Sequence, residues 1–334
     1  MSAKLAARGI PAEFGEALYQ QIHGFAEYGF PESHAASFAL IVYASAWLKT
    51  HHPAAFAAAL INSQPMGFYS PSTILSDVAR HGVVARPSCV QASGWDCRLV
   101  DGEIRLGLRL IRGIGEATGR RIEAAAPFTG VEDLAGRAGL DRGELEALAA
   151  AGALAALTPG RREAMWQVHA PRPAPLYSGV DDPAPPPPLP PLGRLEGIAL
   201  DFAATGLTLG DHPMKALRRR LPPRTLSAEE IQRQPHGAWV RTAGLVICRQ
   251  RPGTASGVVF ITLEDETGFL NAILYAHVFE RLRTVLVTSP LLLFEGRIER
   301  DGPVVYVILR TARRLDPQAP ELEEHTRGAS RDFH

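Results

Sequence analysis

The stretch Val258-Val-Phe-Ile-Thr-Leu-Glu264, Asp265-Glu-Thr-Gly268, Phe269-Leu-Asn-Ala-Ile-Leu-Tyr275 reads as strand, turn, strand. Both halves alternate as strands do, and the Asp-Glu-Thr-Gly interruption is turn chemistry. Working outward, Val240–Arg249 has the same character upstream. Leu291–Arg300 and Val304–Leu315 follow downstream, with Asp301-Gly302 marking a tight hairpin between them. A short helix, His277–Val287, falls between the third strand and the fourth. Five strands with a helix in that place describe an OB-fold barrel. In such barrels the second and third strands and the first and fourth loops bind oligonucleotides. That places Arg249, Arg251, Phe260, Phe269, Asn271, Tyr275 and Arg300 near a binding face. Alternation sets Phe269, Asn271, Ile273 and Tyr275 on one side; Asn271 argues for a wet face, and Ile273 equally for core.

Upstream of the barrel, Leu108-Arg-Leu-Ile-Arg-Gly113-Ile-Gly115-Glu-Ala-Thr-Gly-Arg-Arg-Ile122 reads as helix, tight hairpin, helix. Gly113, Ile114 and Gly115 form the tip, where glycine lets the backbone turn sharply and approach a phosphate. Arg112, Arg120 and Arg121 flank it with positive charge. The pattern is similar to a helix-hairpin-helix module, which grips a DNA backbone without reading sequence. A helical hairpin that only packs is the alternative. Phe128–Leu154 looks like a second, degenerate half, with Gly152 ending the last helix and Leu145, Leu148 and Leu154 packing it.

Between these parts, residues 169–195 are proline-dense and poor in core formers, the composition of an extended linker. Ile198–Leu221 reads as mixed helix with a turn at Gly210–Met214. The run Arg218-Arg-Arg220 either holds phosphate or forms a solvated face. After Pro317 the chain is polar and is expected to be disordered.

The 334 residues leave room for two or three domains with real cores. No run of about twenty apolar residues spans a membrane, and no signal-peptide pattern opens the chain. Cys89, Cys97 and Cys248 are scattered, which argues against a disulfide framework or zinc site and fits a reducing cytoplasm. The formal net charge is zero, so nucleic-acid binding must come from local patches.

The N-terminal third centres on Tyr28-Gly-Phe-Pro-Glu-Ser-His34 and the helix that follows it. Ser33 sits where an N-cap would go. Phe38, Ile41, Val42, Ser45 and Leu48 follow a 3.6-residue period, Leu40, Tyr43 and Trp47 widen the stripe, and His52-Pro53 closes it. A helix apolar on nearly every face is expected to be buried along its length, with its polar start aimed at a ligand. Free N–H groups at that start suit a phosphate. Plain core is the alternative. Residues 1–27 and Pro53–Asn62 also read as helix, as does Ser72–His81, capped by Ser72 or Ser70. Tyr69 and Trp95 are read as core in preference to base-stacking rings.

Residues 28–71, YGFPESHAASFALIVYASAWLKTHHPAAFAAALINSQPMGFYSP, resemble the late fingers region of bacterial C-family DNA polymerases. Pro31-Glu32 and Gln64-Pro-Met-Gly-Phe-Tyr69 resemble the error-prone alpha-subunit branch, since replicative relatives usually carry Asn-Lys before the Ser-His. Asp201–Arg218 and the ending Ser330–His334 are similar to the same branch. The resemblance covers nearly the whole chain but only about the C-terminal third of a full-length polymerase. It implies a fragment of an enzyme of damage-induced mutagenesis and translesion synthesis in the cytoplasm.

The resemblance sets the division of labour. A full-length polymerase transfers a nucleotide from a dNTP to a primer 3′-OH using palm-bound Mg²⁺. The palm and the phosphoesterase-like domain are missing here, and no Asp-x-Asp pair stands on a predicted strand; Asp181-Asp182 falls in the linker. This chain is therefore expected to be inactive alone, to have no catalytic residue, metal or cofactor of its own, and to start inside a domain while ending naturally. Ser33 and His34 would face the incoming triphosphate. Implied partners are primer–template duplex, single-stranded template, a Y-family-like accessory polymerase and the sliding clamp. The fold is then a multidomain α+β chain: fingers remnant over 1–100, hairpin module 101–168, linker 169–195, helical connector 196–235, OB-fold barrel 236–316 and tail 317–334. Two other readings stay open. One is a catalytically inert stand-alone DNA-binding protein, the other a fragment of a replicative DNA polymerase III alpha subunit.

Overall fold

The computed structural model describes residues 11, 13–14, 16–17, 19–20, 32–66, 69–169, 188–253, 255, 257–315 and 331–333. The chain divides into two compact units, residues 1–56 and 57–334. In the first, α1 (Glu32–His51) runs unbroken to the residues before Pro53, as the pre-proline restriction requires. Two expectations fail there. The helix begins at Glu32, so Ser33 lies inside its first turn and is not its N-cap. Nor is the helix buried: Leu40 is 74% exposed and Tyr43 73%. The turn Tyr28–Pro31 and most of residues 1–27 lie outside the described residues.

A second helix, α2 (Pro53–Asn62), follows directly. The second unit goes on with α3 (Pro71–Arg80), where Ser70 caps by accepting the Thr73 N–H and Pro71 occupies the first turn. A small sheet comes next: β1 (Ala85–Arg86), β2 (Arg98–Val100) and β3 (Glu103–Arg105), with β3 central. Trp95 packs against the core beyond it, as expected, whereas Tyr69 is 59% exposed.

The hairpin module consists of a 3-10 turn Leu108–Leu110, then α4 (Glu116–Ala125), α5 (Val131–Ala138), α6 (Arg142–Ala150) and α7 (Arg161–His169). Its first expected helix is thus one tight turn. It stops because Ile111 is already extended, at φ −82° and ψ 116°, and the next N–H, that of Arg112, bonds the Ala204 carbonyl at 2.8 Å. Leu108, Ile122, Leu134, Leu145, Leu148 and Leu154 are wholly buried in one core. α6 ends before Gly152 as the pattern predicts.

The linker's residues 170–187 lie outside the described residues. The connector holds α8 (Arg194–Thr205) and α9 (Pro213–Leu217), then a 3-10 turn over Arg218–Arg220. β4 (Thr225–Leu226) and α10 (Ala228–Gln232) lead into the barrel.

The barrel strands are β5 (Trp239–Gln250), β6 (Val259–Asp265), β7 (Gly268–Leu274), β8 (Leu291–Asp301) and β9 (Val304–Arg314), with α11 (Ala276–Thr288) between β7 and β8. β5 pairs with β6, β6 with β7, β7 with β9, β9 with β8, and β8 back with β5. This is the closed five-stranded OB-like barrel that the alternation predicts. Gly302, at φ 55°, turns the β8–β9 hairpin. Inward residues such as Val246, Ile261, Leu263, Phe294 and Leu309 fill it, and α11 closes it with Val278 and Leu286. Phe202 of α8 and Met214 and Leu217 of α9 cover its outer side against Leu245 and Leu293. Past the barrel, residues 331–333 form β10 (Arg331–Phe333), paired parallel to β5. The rest of the tail past residue 315 lies outside the described residues.

Candidate nucleic-acid interface

The hairpin tip is built on Gly113, which takes φ +89°, a region that L side chains avoid. Ile114 follows it inward, 6% exposed, and plugs the tip into the module's core. Gly115 then stands as N-cap of α4 with no side chain bonded to the helix start. The first-turn N–H groups of any helix lack intrahelical acceptors, and here a Cβ added at Gly115 would meet nothing within 4 Å. The tip is therefore an open set of backbone donors at the positive end of a helix. The second half of the module contrasts with it. There Asp141 caps α6, accepting the Glu144 N–H at 2.8 Å, and Glu144 accepts the Asp141 N–H in return. A carboxylate already fills that helix start. This is the physical sense in which the second half is degenerate.

The three flanking arginines differ. Arg112 is tied to α8, its N–H on the Ala204 carbonyl at 2.8 Å and its Nη1 on that of Ala203 at 2.9 Å. Arg121 donates through Nε to the Ala138 carbonyl at 2.8 Å, closing the end of α5. Arg120 alone of the three is held only by ion pairs, at 3.5 Å to Asp96, 3.4 Å to Glu116 and 3.5 Å to Glu123. Exposed pairs of this length contribute little, so Arg120 exchanges partners readily. Glu123 has other work: the Trp95 N–H, then Arg98 and Arg120, hold its carboxyl below the usual range.

The barrel sorts in the same way. Arg249 bonds the carbonyls of Leu286 at 2.7 Å and Ser289 at 2.9 Å, pinning the end of α11. Arg300 bonds the carbonyls of Gln234 at 2.8 Å and of Gln232. Phe269 lies under the Arg80 guanidinium of α3, 5.0 Å from ring centre to Cζ. These three hold the fold. Three others face outward. Asn271 is exposed and accepts the Thr262 hydroxyl at 2.9 Å. Tyr275 is 45% exposed, parallel to the His277 ring. Arg251 lies over Phe279 at 5.3 Å with a long pair to Glu280. On the outer face of β6 and β7, Phe260 and Ile273 are opposite each other and half-buried. The face is thus wet at Asn271 and apolar beside it.

Two features escape a reading of the sequence. Trp239 is 58% exposed and register-paired with the exposed Arg297 of β8, a ring and a cation side by side. Only the strand register reveals that pair. Arg218, read as part of a free basic run, is clamped by Asp265 at 2.8 Å and Glu266 at 2.7 Å. Among the candidate nucleotide contacts, His34 is exposed on the first turn of α1, 4.4 Å from Phe38 ring to ring. Among the described residues no group of three or more His, Cys, Asp or Glu could hold a metal ion. No helix of the described residues is long and apolar enough to cross a membrane.

Residues 82–164 match a family model described as a helix-hairpin-helix motif. The chain is 49% identical over 346 residues to an error-prone DNA polymerase of Azoarcus sp. (strain BH72), covering 98% of this chain and 32% of that protein. Against the error-prone DNA polymerase of Anaeromyxobacter sp. (strain K) the figures are 47% over 351 residues, 99% and 30%. The chain spans about a third of the length of these curated relatives. Likenesses to solved structures are slight. Asparaginyl-tRNA synthetase from Pyrococcus horikoshii has a TM-score of 0.24 at 21% identity, covering 27% of this chain and 22% of that one. An OBody, AM1L10, bound to hen egg-white lysozyme has 0.24 at 19%, covering 28% and 94%. The sequence is related throughout to error-prone DNA polymerases and matches them as a piece of a longer protein.

Proposed function

We propose that this chain, homologous over nearly its whole length to one third of the error-prone DNA polymerases, is the DNA-holding C-terminal part of such an enzyme. The observation that carries the reading is the uncapped start of α4 at Gly115, inside the segment that matches the helix-hairpin-helix motif. Phosphate oxygens accept bonds from such N–H groups, and Arg120 beside it adds a mobile charge. The barrel then takes single-stranded template across β6 and β7, with Tyr275 and Arg251 at the rim of that face.

Nucleotide transfer belongs to the rest of the protein, where Mg²⁺ would be held. Ser33 and His34 would meet the incoming triphosphate there. The bare apolar faces of α1 fit a segment that packs inside a longer chain. Work in translesion synthesis and repair, a Y-family-like accessory polymerase and the sliding clamp as partners, and a place in the cytoplasm follow from the family alone.

Gly115→Val tests the hairpin. Its φ of −83° accepts valine without strain, and the added carbons enter the open space where a phosphate would sit. Gly113→Val is a poorer probe, since φ +89° strains any L side chain. Duplex affinity measured by gel shift is expected to fall about tenfold for Gly115→Val, the worth of one charge-assisted bond. Unchanged affinity would remove the hairpin from the account.

A further inference from the structure

The outer face of β6 and β7 carries three cross-strand rows: Glu264 opposite Phe269, Thr262 opposite Asn271, and Phe260 opposite Ile273. The core residues Ile261, Leu263, Leu270 and Ala272 alternate with them, so all six point away from the barrel interior. Glu264 is nevertheless only 5% exposed. What covers it is α3, whose Ser76 bonds its carboxyl and whose Arg80 lies near it. A helix far upstream in the chain thus forms one wall of the face, and the Thr262–Asn271 row begins where that wall stops.

Arg80 is the last residue of α3 and stands at this border, its Cζ 5.0 Å from the centre of the Phe269 ring. Phe269 and Asn271 are two residues apart on one strand, about 7 Å. The aromatic ring holds the guanidinium in place without neutralising its charge. Its side chain stays 43% exposed, and its pair to Asp77, 3.3 Å on the helix surface, is of the weak, exposed kind that a phosphate can replace. Arg249 and Arg300 contrast with it, since their guanidiniums are spent on backbone carbonyls. At the other end of the face, Arg251 follows Gln250, the register partner of Phe260. Cations therefore stand at both ends of the rows, with an amide and a ring between them, the combination that suits an anionic strand with stacking bases.

We propose that Arg80 binds a phosphate of the single strand, so that the single-strand site is built jointly by α3 and the barrel. This rests on the reading of the barrel as a single-strand binder.

The test uses the full chain with Arg80→Ala and Arg80→Lys. Anisotropy of a fluorescent oligothymidylate across a salt series reads affinity and salt slope, and gel shift reads duplex binding at the hairpin. Arg80→Ala is expected to bind oligothymidylate about tenfold more weakly at low salt, the loss of one charge-assisted bond. Its slope of log affinity against log salt should shrink by about 0.7, the share of one phosphate on a single strand. Arg80→Lys keeps the charge and should keep the slope, and duplex binding should stay unchanged in both variants. Should Arg80→Ala lower the thermal midpoint, Arg80→Gln, which keeps a stem over Phe269, carries the same expectation. A neutral variant with the wild-type slope overturns the inference whether or not its affinity falls, since Arg80 would then only hold α3 to the barrel. Failure of the intact chain to bind oligothymidylate would sink the barrel reading itself.

Discussion

Replacing Glu264 by glutamine isolates one buried carboxyl. Glu264 lies on β6, 5% exposed, bonded to Ser76 with Arg80 nearby on α3. Burial pushes its carboxyl up to about 7 from an ordinary 4.5, with the neighbouring Asp265 adding to the rise and Ser76 and Arg80 opposing it. Between about pH 4.5 and 7 the folded chain keeps a proton that the unfolded chain has released. Its contribution to stability is therefore full below about pH 4.5 and is lost as pH rises to about 7. The distance from 4.5 to about 7, at about 1.4 kcal/mol per pH unit, comes to about 3 kcal/mol.

His212 acts in the opposite sense. Burial holds its imidazole down to about 4 against 6.5, so stability rises with pH between those values. In the wild type the two trends offset each other from about pH 4.5 to 6.5. Glu264→Gln keeps the shape and removes one of them. Urea unfolding from pH 4 to 8 should show the variant gaining on the wild type by about 3 kcal/mol as pH rises from 4.5 to 7. A difference that does not change with pH would refute a buried, ionisable Glu264.

Arg120→Ala should weaken duplex binding and lower the salt slope by about one. Arg121→Ala should instead lower the thermal midpoint, because it uncovers the Ala138 carbonyl; gel shifts over a salt series and calorimetry separate the two. In the barrel, Arg251→Ala should reduce oligothymidylate affinity with the midpoint unchanged. Arg249→Ala should cost about 1–3 kcal/mol of stability, since the carbonyls of Leu286 and Ser289 lose their donor. Gly119→Val should destabilise the hairpin module by about 1–3 kcal/mol and change tryptophan emission, because a Cβ there would meet the Trp95 ring at 2.3 Å.

The barrel was legible because its signals are local. Strand alternation, the Asp265–Gly268 turn and the Asp301-Gly302 hairpin each act within a few residues, and the observed strands fall within a residue or two of the expected ones. The cap at Ser70 is equally local. The first hairpin helix was not, because it ends at an extended Ile111 beyond which the Arg112 N–H bonds the carbonyl of Ala204, ninety-two residues further on. Arginine roles were the least legible. Nothing in the sequence separates Arg120, held only by long ion pairs, from Arg112 and Arg249, whose guanidiniums are spent on carbonyls distant in the chain. Periodicity likewise says that α1 wants burial, but the described residues leave it bare. β10 is three residues in a polar tail, and only the open edge of β5 gives it a place.

The most direct test of the account is Mg²⁺-dependent primer extension by the purified 334 residues, run beside gel-shift binding to primed DNA across a salt series. The account predicts binding that weakens steeply with salt, as counterion release requires, and no extension. Extension of the primer would contradict it, since a catalytic metal site would then lie within this chain.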